Sequence, residues 1–218
     1  MKHITFYLDF ISPYAYLASE QLGKALMGQS YILSHKPVLL GAMLKHHGQL
    51  GPAEIPAKRV WTYRQVAWLA RQQELPLQMP SVHPFNPLAL LRLAVASDAQ
   101  GLPNRYVCET IFHHVWRGGA DPNDPARLEQ LVAKLPRDAD PNSELVKSRL
   151  RLHTDEAIAK GVFGVPTFEV EGRLFWGLDA LPMLRAYLDG DAWFSAGCWE
   201  EADRLPPGVT RRRREPGT

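Results

Sequence analysis

The chain has 218 residues, 45 % of them hydrophobic, which suits one domain, or one domain with a large insertion, and excludes a chain disordered away from its ends. Its formal charge of +2 is unevenly placed: residues 204–218 hold five arginines and one glutamate, and without them 20 basic side chains face 22 acidic ones, so the body lacks the basic balance of a nucleic-acid binder. The two cysteines, Cys108 and Cys198, stand far apart in no metal or redox spacing, so a disulfide framework is not expected and a reducing, cytoplasmic setting fits.

Lys2 ahead of an apolar stretch has the outline of a secretory signal, but Asp9 and Pro13 interrupt the run. No stretch approaches the ~20 apolar residues of a membrane span, and the chain reads as soluble and cytoplasmic. Ile4 to Asp9 alternates as a strand. Pro13 to Met27 follows, with Tyr16, Leu17, Leu22 and Leu26 at helical spacing, and Tyr31 to Leu39 is a second strand. That is a β-α-β unit. From Gly41 to about Lys160 the pattern turns helical. Helices are expected at Lys58–Gln73, at Leu88–Gln100 behind Asn86-Pro87, and at Pro103–Trp116. Two more are expected, at Ala126–Leu135 behind Asp124-Pro125 and at Ser143–Lys160. Strands return at Pro166–Val170 and Arg173–Trp176 around the turn Glu171-Gly172. Asp179 is expected to cap a last helix, Ala180 to Leu188.

The ends therefore give β-α-β and β-β-α, the thioredoxin plan. The expected fold is α/β, a thioredoxin-like domain split by an all-α helical insertion. The domain takes residues 1–40 and 161–190, the insertion takes 41–160, and 191–218 form a C-terminal extension. Arg211 to Arg214, set among prolines and glycines without interleaved aromatics, read as a solvated, disordered end rather than a nucleic-acid or membrane contact.

A thioredoxin-like protein carries Cys-x-x-Cys where the first strand meets the first helix. Here that spacing reads Ser12-x-x-Ala15. Neither residue can form a mixed disulfide, so thiol-disulfide exchange by the protein's own side chains is excluded. Ser12-Pro13 fits a helix cap and first helical residue. The same helix end offers backbone N–H groups and the positive end of the dipole to an anion. The hydroxyl can add a hydrogen bond to a bound sulfur anion, and both roles can hold together.

The second candidate is Gly161-Val162-Phe163-Gly164-Val165-Pro166-Thr167-Phe168. A lone Val-Pro there makes a turn and an edge strand. In a thioredoxin-like fold it is a cis-proline facing the first helix, with the N–H and C=O of Val165 free to pair with an extended peptide. The third is Phe175-Trp176-Gly177-Leu178-Asp179. It reads either as a strand end, glycine turn and Asp cap with Trp176 in the core, or as a place where Asp179 meets a ligand's ammonium. His46-His47 and His113-His114 are adjacent pairs whose side chains point apart, unlike the i, i+4 spacing of a helical metal site; no metal is expected. Trp61, Tyr63, Trp68, Phe112 and Trp116 fall at helical spacings. They are expected in the core, with some walling an aromatic pocket.

Taken together, Asp9-Phe10-x-Ser12-Pro13-x-x-Tyr16-Leu17-Ala18, Val162 to Phe168 and Trp176-Gly177-x-Asp179 resemble the 2-hydroxychromene-2-carboxylate isomerases. These belong with the kappa-class glutathione transferases in a DsbA-like branch of the thioredoxin fold. The resemblance covers roughly residues 3–189 and implies glutathione as cofactor. It places Ser12 beside the glutathione sulfur and Val165, with Pro166 cis, against the cysteinyl unit. Trp176, Gly177, Leu178 and Asp179 would line the γ-glutamyl end, Asp179 taking its ammonium. Lys58 and Asn86 would supply polar contacts to cofactor or substrate, and Lys36 would meet a substrate carboxylate. For these three, a surface lysine and a helix-capping asparagine are the commoner explanations. The family often has a polar residue before that aspartate and an arginine after it; this chain has Leu178 and Ala180. The γ-glutamyl end is then held less tightly, or a different thiol peptide is used.

The implied function is a glutathione-dependent isomerase of an aromatic enone-type keto acid, 2-hydroxychromene-2-carboxylate to trans-o-hydroxybenzylidenepyruvate in type, working by reversible thiolate addition. A kappa-like transferase, which keeps the sulfur adduct, and a non-enzymatic thiol- or peptide-binding module are the alternatives. Related proteins imply a homodimer. Neither nucleic acid nor membrane is an expected partner.

Overall fold

A computed structural model describes residues 1–202 together with 204, 206 and 208. The arginine run at 211–214 lies outside the described residues. Alternation along β1 (Lys2–Leu8) turns Ile4, Phe6 and Leu8 into the main core and Tyr7 into a smaller one on the other side. Ser12 and Pro13 then start α1 (Pro13–Ala25), the Ser12 Oγ accepting the Ala15 N–H at 3.2 Å. The strand β2 (Tyr31–Pro37) returns parallel to β1.

Next comes α2 (Leu40–His47), which the sequence did not signal. No side chain of its own caps it; the Asp9 Oδ2 accepts the Leu40 N–H at 2.9 Å. Five longer helices follow: α3 (Pro56–Gln72), α4 (Leu88–Ala96), α5 (Arg105–Trp116), α6 (Pro125–Lys134) and α7 (Glu144–Ala159). Asn104, Asp124 and Ser143 cap the last three by accepting from Val107, Arg127 and Val146 N–H. The fourth helix ends at Ala96, short of the expected Gln100. There Asp98 Oδ1 draws the N–H groups of Gln100 and Leu102 into a turn. On α3 the inward stripe is Thr62, Val66 and Ala70, at i, i+4 and i+8. That leaves Trp61 and Trp68 outside, 64 % and 57 % exposed, against the expectation of core packing; Phe112 and Trp116 are buried as expected.

The chain re-enters the sheet through β3 (Thr167–Val170) and β4 (Arg173–Trp176), an antiparallel hairpin whose turn puts Glu171 and Gly172 at φ 51° and 81°. Two positive φ angles mark the turn that fits strand twist. The sheet order is β2-β1-β3-β4, with β3 antiparallel to β1. A 3₁₀ turn, Leu178–Ala180, leads into α8 (Leu181–Asp189). Asp179 sits inside that turn and does not cap the helix, whose first cap position is Ala180. The extension folds back as the short α9 (Cys198–Ala202), where Trp199 packs on Phe175 and Phe194.

This is the thioredoxin arrangement with helices set into it. One core cluster runs from Phe6 and Phe10 through Tyr16 to Phe112 and Trp116 of α5, so the inserted helices share their interior with the sheet. The Phe10 and Phe112 rings meet edge-on at 4.9 Å, and the Trp116 indole N–H donates to the Phe10 carbonyl at 3.0 Å. Each fully buried aromatic of this kind stabilises the fold by about 1.5–3 kcal/mol. α7 packs against the inserted helices α2 and α4 and also against β2, so the last helix of the expected insertion reaches the sheet.

Candidate active site

The junction of β1 and α1 is held from several sides. Asp9 is fully buried; its Oδ1 accepts the Ile11 N–H at 3.1 Å and its Oδ2 the Leu40 N–H. Burial raises the Asp9 carboxyl to about 7, against the pull of those N–H groups toward the charged form. Ser12 is buried, donates its N–H to the Asp9 carbonyl at 3.1 Å and points its Oγ at the Val165 carbonyl, 3.4 Å away. Among first-turn N–H groups the Ala15 and Tyr16 donors are taken by Ser12, and Pro13 has none. Tyr14 N–H is the one left without a partner among the described residues.

Opposite stands Val165-Pro166, and its bond is cis. The Val165 carbonyl is not wholly free, since Ser12 faces it. Its N–H has no partner among the described residues. Pro166 accepts the Gly177 N–H at 2.9 Å, which ties this loop to the end of β4. Trp176 is 54 % exposed and lies against Phe163 at 4.8 Å, so it is a wall and not a core residue. A Cβ on Gly164 would come within 2.8 Å of the Trp176 Nε1. Gly177 has φ +104° and leaves room for Asp179, whose Oδ1 would lie 2.3 Å from a Cβ there. The Asp179 carboxylate has no hydrogen-bond donor among the described residues, and its charge pushes the Tyr14 phenol up, in addition to burial.

Two hollows meet at Tyr14, Val165 and Trp176. One, of about 730 Å³, opens between Ser12 and α2 and is walled by Ile11, Leu39, Leu40, Leu44, Phe85 and Phe163. Lys58 is the one lysine or arginine on its wall, and it makes no ion pair among the described residues. The other, of about 650 Å³, runs along α1 between α3 and α8 past Trp176, Gly177, Leu178 and Asp179. Ser12, Val165, Pro166, Trp176, Gly177, Leu178, Asp179 and Lys58 thus all border one continuous cleft.

Two expected contacts lie elsewhere. Lys36 is ion-paired with Glu156 of α7 and borders neither hollow. Asn86, two residues ahead of α4, turns its Oδ1 to the Leu88 N–H at 3.1 Å, and its carbonyl takes the Asn123 amide; its neighbours Phe85 and Pro87 reach the apolar hollow, and Asn86 does not.

One site residue escaped the sequence. His83, which precedes a second cis proline, borders the apolar hollow. Its Nε2 is 2.9 Å from the Ile11 carbonyl and its Nδ1 2.7 Å from the Tyr63 hydroxyl. Burial pushes its pKa down; the neutral ring then donates from Nε2 and accepts at Nδ1. It fixes the residue just before Ser12. The histidine pairs drew attention in the sequence, whereas His83 sits singly in a loop of prolines. Among the described residues no three His, Cys, Asp or Glu side chains group to hold a metal ion, and no helix is long and apolar enough to cross a membrane.

Comparison with known proteins agrees with this arrangement. The DSBA-like thioredoxin domain model matches residues 3–189. A 2-hydroxychromene-2-carboxylate isomerase of Sphingobium xenophagum is 29 % identical over 195 residues, covering 86 % of this chain and 98 % of that protein. Glutathione S-transferase kappa 1 of Rattus norvegicus is 26 % identical over 211 residues, covering 86 % and 90 %. A solved 2-hydroxychromene-2-carboxylate isomerase superposes with a TM-score of 0.69 at 22 % identity, over 94 % of this chain and all of that one. The chain therefore belongs to the DSBA-like thioredoxin domain family, as an enzyme on its isomerase and transferase side.

Proposed function

We propose that the protein is a glutathione-dependent isomerase of an aromatic, carboxylate-bearing enone. The observation that carries the reading is that the Tyr14 and Val165 N–H groups, unpartnered among the described residues, stand beside the Ser12 hydroxyl, whose acceptor is the Val165 carbonyl at 3.4 Å. Ser12, Tyr14 and Val165 border a cleft with two largely apolar arms. The arm along α1 carries Asp179 and suits a peptide, and the arm toward α2 carries Lys58 and suits an aromatic carboxylate.

The residues fit glutathione. The unpaired Val165 N–H can donate to the cysteinyl carbonyl, as in an added strand, and Asp179 lacks a cation that the γ-glutamyl ammonium would supply. Bound there, glutathione supplies a thiolate that adds to the conjugated carbon and leaves again after the former double bond has rotated. Ser12 donates its O–H toward the sulfur position, and the helix end adds its dipole. A free thiol titrates near ~8.5, so this donor is what favours the charged form at neutral pH. The apolar walls hold the ring and exclude water, and Lys58 faces a carboxylate of substrate or cofactor. The two free cysteines, Cys108 buried with its thiol pushed up by burial, suit a reducing, cytoplasmic setting.

Calorimetry with glutathione and its S-methyl derivative, on wild type and Ser12→Ala, tests the cofactor. Glutathione should bind more tightly than the S-methyl form, and Ser12→Ala should erase the difference. Binding of neither would overturn the reading. The rat and nematode relatives are named as transferases, and the same site serves a transferase; a recovered cofactor marks the isomerase and a conjugated product the transferase. A peptide-binding module would show no effect of glutathione on any small electrophile.

A further inference from the structure

The arm along α1 is longer than glutathione needs. It follows α1 from Tyr14 past Gln21 to Ala25, twelve residues and roughly 16 Å of helix. A cysteinyl and a γ-glutamyl unit, fully extended, reach on the order of 11 Å from the sulfur to the α-carboxylate. The far part is bounded by Gln21, Leu69, Gln73, Pro182 and Arg185, with no carboxylate on its wall beyond Asp179. The residue after Asp179, where the family resemblance places an arginine, is Ala180; the arginine on this wall is Arg185. It lies five residues further along the chain, on α8, and reaches the carbonyls of Ala25 and Met27 at the far end of α1.

Arg185 is braced for that place. Its Nε donates to Asp189 at 2.7 Å and its Nη1 to the carbonyls of Met27 and Ala25 at 2.7 and 3.3 Å, while Nη2 has no acceptor among the described residues. Gln21, on the opposite wall, keeps an amide nitrogen without an acceptor among the described residues. Rotation about its terminal torsion turns that amide toward the groove at little cost. An unsatisfied amide at the edge of glutathione's reach and, past it, a cation with a spare donor ask for an anionic oxygen.

We infer that the far part of this groove is a subsite for a carboxylate-bearing extension on the amino side of the thiol cofactor, as in a γ-glutamylcysteine peptide with a second γ-glutamylcysteine unit. Asp179 then accepts the amide N–H formed where the free ammonium stood, and the added carboxylate meets Arg185. The inference rests on the glutathione reading above.

Titration calorimetry compares S-methylated glutathione with the S-methylated two-unit peptide, γ-Glu-Cys-γ-Glu-Cys-Gly. Because the longer peptide gives up the ammonium at Asp179, the Arg185 contact is read from the variant: the ratio of longer-peptide to glutathione-peptide affinity should be about tenfold higher in wild type than in Arg185→Gln, the size of one charge-assisted hydrogen bond. Because that change also frees Asp189 and the α1 carbonyls, Gln73→Glu serves as the second variant; it sits on the exposed side of the same wall and should cut the ratio by placing a like charge there. A ratio that Arg185→Gln leaves unchanged overturns the subsite alone, as does a longer peptide that fails to bind where unmodified glutathione binds. Binding of neither peptide, nor of unmodified glutathione, overturns the subsite and the cofactor reading together. A wild-type preference that survives both variants assigns the gain to other contacts and sinks the role of Arg185.

Discussion

Removing the Ser12 hydroxyl separates its two roles by their sizes. As a cap, Oγ satisfies the Ala15 N–H at 3.2 Å, and a Ser→Ala change at such a site costs about 1 kcal/mol. Its contact with the Val165 carbonyl, at 3.4 Å, is too long for a hydroxyl bond of full strength and adds little. Ser12→Ala should therefore lower Tm by only about 2–4 °C in a chain of this length. The catalytic role is larger. A hydrogen bond to a charged partner is worth about 1.5–3 kcal/mol, so the bound thiol's pKa should rise by roughly one to two units. Turnover should fall by about 10²–10³. Thermal unfolding, steady-state rates and an ultraviolet titration of the bound thiolate measure the three. Ser12→Asp, which caps as well as serine but cannot donate as a carboxylate, should match wild-type melting more nearly and still lack activity. Full turnover in Ser12→Asp, or lost turnover in Ser12→Ala with an unmoved thiol pKa, would refute the reasoning.

Gly164→Ala should push Trp176 aside, since a Cβ would stand 2.8 Å from its Nε1. As Trp176 walls both arms, glutathione affinity should weaken roughly tenfold by calorimetry, about 1.4 kcal/mol, with the fold intact by circular dichroism. Lys58→Met should raise KM for a carboxylate substrate at least as much. Lys36→Met, which breaks a partly exposed ion pair away from the cleft, should change stability by only about 0–1 kcal/mol and leave KM alone; a KM effect there would return Lys36 to the site. Asp9 and His35 give opposed pH dependences. Asp9, raised by burial to about 7, keeps its proton in the folded chain between ~4 and 7 while the unfolded chain has lost it. Ionising it thus removes stability as pH rises through that window, on the order of 4 kcal/mol. Burial lowers His35 to about 4, so the unfolded chain binds the extra proton and stability falls as pH drops from ~6.5 to 4, on the order of 3 kcal/mol. Urea unfolding between pH 4 and 7 should show His35→Phe losing stability toward pH 7 relative to wild type, and Asp9→Asn losing it toward pH 4. Parallel profiles for all three proteins would contradict both assignments.

The sheet was legible because its signals are local. Alternation sets β1, Glu171-Gly172 sets the hairpin, and Ser12-Pro13 starts α1. Val-Pro at the head of a strand was enough to expect the cis bond once the fold was in view. What stayed hidden depends on partners far along the chain. The start of α2 is held by a carboxylate 31 residues earlier, so no local cap announces it. Lys36 looks like an available cation until Glu156, 120 residues on, takes it. Trp61 and Trp68 have the helical spacing of core residues, yet Thr62, Val66 and Ala70 are the ones facing inward. Spacing shows that a face exists; only the neighbouring elements decide which face is covered.

Those distant partners also account for the insertion's importance to the site. Three consecutive residues before Ser12 are each tied to a different inserted element. The Asp9 carboxylate holds the start of α2, the Phe10 carbonyl takes the Trp116 indole of α5, and the Ile11 carbonyl meets His83 in the loop ahead of α4. α2 and the His83 loop also wall the apolar hollow. The donor for the sulfur and the walls for the substrate are thus fixed to the same short stretch of backbone. A protein that keeps its sulfur on its own cysteine fixes that atom by covalent bonds. A protein that borrows the sulfur must fix the place where it docks, and a hydroxyl aligned by contacts to α2, α5 and the His83 loop does so without a covalent bond. That makes the loss of Cys-x-x-Cys and the dense tethering of residues 9–11 two sides of one arrangement: the first frees the position, and the second keeps it in register with the substrate wall.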